Sequence, residues 1–109
     1  MSKPQRLPYE IKTNGHLYEL FRRTDLIACY RQYDGDLLVG YEIFEIPVRK
    51  EETIKGATYP HRETFPSTSS FGVNAWTLGA YCTEEKVIER FDQLDKKVRE
   101  ELNNKNNNG

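Results

Sequence analysis

The chain has 109 residues, with 16 basic and 17 acidic side chains for a net charge of −1, and a mean hydropathy of −0.80. That is one domain's worth of polypeptide, not a polybasic nucleic-acid coat, and it holds no apolar run long enough for a membrane-spanning helix. Hydrophobic residues make up only 37%, yet there are seven tyrosines, five phenylalanines and one tryptophan, a richness that argues against disorder.

Residues 1–6 are polar and are expected to be flexible. Residues 7–13 read as a strand that meets Asn14-Gly15, the strongest short-range hairpin signal, with 16–23 as the returning strand. Residues 26–33 form a third run. In it Leu26, Ala28 and Tyr30 point one way, and Ile27, Cys29, Arg31 and Tyr33 the other. Both sets carry apolar atoms, so the period of two does not single out a core face. Asp34-Gly35-Asp36 supplies a second tight turn, and 37–46 is a fourth strand that Pro47 ends. Four strands joined by short turns make an antiparallel meander.

Residues 47–72 change character, with many charges, Gly56 and three prolines at 47, 60 and 66. They read as a long irregular connection with one short extended piece at 59–65 and a polar Ser67-Thr68-Ser69-Ser70 loop. Residues 73–78, around Trp76, suggest a further short strand. Thr83 can then cap a helix, with Glu84 and Glu85 at its positive end. Val87, Phe91, Leu94, Val98 and Leu102 recur on one face, which Ile88 widens, and Asp92–Lys96 and Asp95–Arg99 pair on the other. The tail 103–109 is Asn-rich and is expected to leave the helix and be disordered. The expectation is one α+β domain over 7–102, an antiparallel sheet of four or five strands with one C-terminal helix packed across a face.

Catalytic chemistry finds little to build on. His16 and His61 each sit beside a turn or a loop, and Cys29, His61 and Glu63 are the only parts for a hydrolase or nuclease. A lone strand cysteine such as Cys29 is ordinarily a small buried hydrophobe. Cys29 and Cys82 lie in no CxxC motif, and the N-terminus lacks a secretory apolar stretch, which implies free thiols in a reducing cytoplasm, with a Cys29–Cys82 disulfide as the less favoured alternative because sequence does not give their separation. No metal-ligand spacing and no phosphate-loop motif occurs, so no metal and no cofactor is expected. The aspartates around Gly35 are explained by the turn.

Two binding readings remain. Arg22, Arg23 and Arg31 lie on neighbouring strands with Tyr18, the parts of a sheet that holds phosphates and stacks bases. Glu10, Glu19, Glu42 and Glu45 share those strands, however, and supply ordinary cross-strand partners. The favoured reading is a non-enzymatic module acting on a protein partner or on itself, because the chain has more aromatics than one small core can hold. Tyr30, Tyr33, Tyr41 and Trp76 are its candidate contacts.

Arg22-Arg23, Tyr30-Arg31 and Tyr41-Glu42-Ile43-Phe44 are followed by Glu63-Thr64-Phe65-Pro66-Ser67, Phe71-Gly72 and Ala75-Trp76-Thr77. This order of aromatic-centred motifs, over about residues 7–94, resembles short uncharacterised proteins of bacteriophages and integrated mobile elements. The resemblance implies an accessory protein of the bacterial cytoplasm and carries no activity and no catalytic residue.

Overall fold

The computed structural model describes residues 3–13, 15–66 and 75–108. Asn14, the Ser67-Thr68-Ser69-Ser70 loop, Phe71-Gly72 and the first residues of the strand expected at 73–78 lie outside that set. The architecture is α+β. β1 (Glu10–Thr13), β2 (His16–Arg23), β3 (Ile27–Asp34) and β4 (Leu37–Glu45) form the meander. After β5 (Val48–Arg49), β6 (Glu52–Ile54), β7 (Ala57–Tyr59) and β8 (Arg62–Glu63), β9 (Ala75–Gly79) joins the meander. The result is a five-stranded antiparallel sheet in the order β1-β2-β3-β4-β9. One helix, α1 (Glu84–Asn108), follows among the described residues.

Both sheet faces are cores, which is why the period-two pattern of β3 named neither. Ile27 and Cys29 of β3, with Tyr41 and Ile43 of β4, lie under Val87, Phe91, Leu94 and Val98 of α1. On the opposite face Ala28, Tyr30, Phe44 and Ala75 pack with Leu7 and Phe65, so the N-terminal segment and the chain before Pro66 cover that side. Phe65 makes the second core an aromatic one. Its ring lies 4.8 Å from Phe44 and 5.0 Å from Tyr30, while Tyr30 and Phe44 stack at 5.8 Å.

The helix starts where expected. Thr83 Oγ1 accepts from the Lys86 N–H at 3.2 Å, and the Thr83 carbonyl accepts from Val87 N at 3.0 Å. Asp95 accepts from the Thr24 hydroxyl at 2.7 Å and from Arg99 at 3.0 Å, which fastens α1 to the β2–β3 turn. Asp92 turns to Arg22 (4.0 Å) instead of its expected partner Lys96. The helix backbone also runs on to Asn108, so residues 103–108 extend it rather than leaving it. Once a helix is nucleated each added residue gains a backbone hydrogen bond, and an Asn costs it only a fraction of a kcal/mol, under about 0.7.

The first strand is shorter than the expected 7–13. Its predicted beginning is drawn elsewhere: the Leu7 N–H donates to Glu63 Oε1 at 2.9 Å. At the other edge of the meander Gly40 has a packing reason. A Cβ there would stand 2.6 Å from the Leu78 carbonyl oxygen of β9.

Candidate functional site

The nucleophile reading fails on geometry. Cys29 is fully buried beneath α1, and burial pushes its thiol up to about 12, away from thiolate chemistry. Glu63 sits on the opposite face of the sheet, where both of its oxygens accept from Arg23 at 2.8 Å. His61 precedes it by two residues, in the segment that bonds the N-terminal strand. Cys29 and Cys82 are both free thiols in the helix-side core. Among the described residues no cluster of three His, Cys, Asp or Glu side chains could hold a metal ion. No described helix is long and apolar enough to cross a membrane.

The arginines expected to share a nucleic-acid surface are split by a β-bulge. In the β2–β3 ladder Leu20 faces Tyr30 and Arg22 faces Cys29, so Phe21 is an extra residue. Phe21 and Arg22 therefore both serve the helix side, and Arg23 swings to the far side. Arg31 lies over the Phe21 ring at 4.2 Å and pairs with Glu84 and, at 3.8 Å, with Glu19. Arg22 reaches Phe91 and Asp92. Tyr18 is on the other face, edge-on to Phe65 at 5.5 Å. These four residues do not converge, and each arginine meets a carboxylate.

The candidate aromatic contacts also move. Tyr30 and Tyr41 are core residues at 0% and 2% exposure and offer no surface to a partner. The Tyr30 hydroxyl is spent on the Pro8 carbonyl at 2.7 Å. Trp76 is half-buried against the helix-side core, and Tyr33 is half-buried near the end of β3. Period two placed these side chains on strands but could not tell a doubly covered sheet from an open one.

An exposed ribbon lies where an irregular connection was expected. Val48 faces Glu63, Arg49 faces Arg62, Glu52 faces Tyr59, Thr53 faces Thr58 and Ile54 faces Ala57. One constant register runs through all five pairs, so β5 to β8 are two stretches of a single β-ribbon. The ladder lapses between them, where Pro60 stands at the position opposite Glu51 and brings no backbone N–H. The tip is Lys55-Gly56, with φ of 51° and 82°. Two positive φ values in a two-residue loop are the type I′ signature, whose twist matches that of the strands.

The ribbon is clamped at its base and open along its length. The Arg23–Glu63 pair is bidentate, with side-chain exposures of 13% and 6%. The hydrogen-bonded Arg23 guanidinium lowers the Glu63 pKa below its ordinary value, and the Leu7 N–H adds to that effect. Gln5 N donates to the His61 carbonyl and Glu63 N to the Gln5 carbonyl, an isolated parallel bridge beside β8. Further out, Arg62 pairs with Glu52 at 2.9 Å and lies 5.1 Å from the Tyr59 ring. Between Val48 and Pro60 every residue except Glu52 is exposed. Val48 (53%), Ile54 (46%) and Tyr59 (42%) are three of the seven exposed large hydrophobics among the described residues; Tyr81, Leu37 and Tyr9, outside the ribbon, are more exposed.

Within β6 and β7 the pleat puts Glu52, Ile54, Ala57 and Tyr59 on one face. Thr53 and Thr58 are on the other, their hydroxyls 3.2 Å apart. Such a ribbon offers an apolar face and two strand edges. Its sequence signal was Lys55-Gly56 between Thr53-Ile54 and Ala57-Thr58-Tyr59.

Searches against protein-family models, curated proteins and solved structures find no match to the chain.

Proposed function

We propose that the protein is a small non-enzymatic binding module, and that the 48–63 ribbon is the element that meets its partner. The observation that supports this reading is the exposure of the whole ribbon tip. An isolated two-stranded hairpin is marginal in water and gains its stability from a third strand or a packing surface. Here the described residues supply neither beyond the base, while Arg22, Arg23 and Arg31 of the sheet body each meet a carboxylate within the chain. Protein partners favour such an edge, because main-chain hydrogen bonds give affinity and alternate side chains give selectivity. The resemblance to bacteriophage and mobile-element proteins adds a setting, an accessory protein of the bacterial cytoplasm.

A photo-crosslinking amino acid in place of Tyr59 tests the reading in cells. Discrete adducts are expected from that position, and none from the same group placed at the exposed helix residue Gln93. A ribbon position that yields no adduct overturns the proposal.

A further inference from the structure

Resting on the ribbon as the binding element, we propose that its occupant is a second copy of this chain, docked edge to edge through β6 in antiparallel register about Thr53. In a hairpin closed by a two-residue loop, the pair flanking the loop exchanges both backbone hydrogen bonds. That pair is Ile54 and Ala57. The next pair, Thr53 and Thr58, therefore turns its N–H and C=O groups outward, one residue on each edge.

The two edges are not equivalent. On the β7 edge the next outward position is Pro60, which has no N–H and cannot continue a ladder. On the β6 edge Thr53 faces outward with Glu51 before it, and both carry an N–H, while Lys55 follows in the tip turn. The open edge is the one led by Thr53.

Charge selects the occupant. A two-fold axis at Thr53 lays Thr53 against Thr53 of the second copy. It sets Glu51 opposite Lys55 of the second copy, and Lys55 opposite its Glu51. Both residues are exposed, and among the described residues neither enters an ion pair in its own chain. The register thus makes two cross-strand ion pairs from charges that are otherwise unmatched. It also gathers Ile54, Ala57 and Tyr59 of both copies on one face of a four-stranded sheet. The edge is short, so the dimer is weak, with a dissociation constant of about 1 μM or higher.

Sedimentation velocity of the full chain over about 10 μM to 1 mM reads this directly. Wild type is expected to pass from monomer to dimer across that range. Glu51→Lys sets Lys against Lys, Lys55→Glu sets Glu against Glu, and each alone should weaken association about tenfold or more. An equimolar mixture of the two variants should regain it, because each cross-strand pair then joins a lysine of one variant to a glutamate of the other. Thr53→Pro removes an outward N–H from the open edge and should abolish the dimer. Thr58→Pro makes the same change on the blunted edge and should leave it intact.

A wild-type monomer throughout, a mixture no stronger than its components, or equal effects of the two proline variants would overturn the proposal. Adducts at position 59 with other proteins and a monomeric wild type would remove the second copy and leave the binding role standing. Absence of both would remove both. Salt-sensitive binding of duplex DNA by a monomeric wild type, lost in Lys55→Glu, would overturn it in favour of nucleic acid.

Discussion

The sheet body and the ribbon use the same local device, a two-residue hairpin, and end in opposite environments. Thr13 and His16, Asp34 and Leu37, and Ile54 and Ala57 each flank two loop residues. In the body the strands that follow are covered on both faces, by α1 on one side and by Leu7 and Phe65 on the other. In the ribbon the strands remain exposed up to the Arg23–Glu63 clamp. Turn chemistry therefore shapes both regions, and burial alone separates scaffold from surface. A substitution should act on the fold or on association according to which side of that line it falls.

The largest effect belongs to the body. Phe91 is 1% exposed in the helix-side core, and Phe91→Ala should cost about 3–5 kcal/mol in chemical denaturation. Next comes the boundary itself. Arg23→Met leaves the half-buried Glu63 without its partner, which should cost about 2–3 kcal/mol at neutral pH, less than breaking a fully buried pair. Hydrogen exchange should quicken in β5 and β8 of that variant before it does in β3.

The same pair sets a pH dependence. Glu63 is held below its ordinary value by Arg23. Its contribution is complete above the ordinary carboxylate range and is lost as pH falls through the depressed folded value. Wild type and Arg23→Met should therefore converge in stability on acidification.

Gly40→Ala should come third. The added methyl meets the Leu78 carbonyl at 2.6 Å, which costs about 1–3 kcal/mol and loosens β9 from β4. The smallest effect on folding marks the other side of the comparison. Ile54→Ser with Tyr59→Ser should change stability by less than about 0.5 kcal/mol per site. Yet it should reduce self-association, because both side chains lie in the exposed ribbon.

Much of the body was legible in the sequence. Asn14-Gly15 and Asp34-Gly35-Asp36 placed the turns of the meander, and the Val87-Phe91-Leu94-Val98 row with Thr83 placed the helix, because burial on one face writes a period. The ribbon wrote none. Its strands are short and exposed, so no apolar alternation marks them, and Pro60 with dense charge imitates a loop. Lys55-Gly56 is a weaker hairpin signal than Asn-Gly, because only its second residue takes positive φ at no cost.

Side-chain direction was lost for two further reasons. The bulge at Phe21 shifts Arg22 and Arg23 by one face, and no residue type announces it. Tyr30 and Tyr41 looked available because a sheet covered on both sides carries the same aromatics as one that is open.

Hydrogen exchange as a function of protein concentration tests the division between scaffold and surface most directly. The amides of β3 and β4 should be protected equally at every concentration, while the Thr53 amide should gain protection as concentration rises and the Thr58 amide should not. A Thr53 amide whose exchange is independent of concentration, or that gains no more than Thr58, would contradict the account.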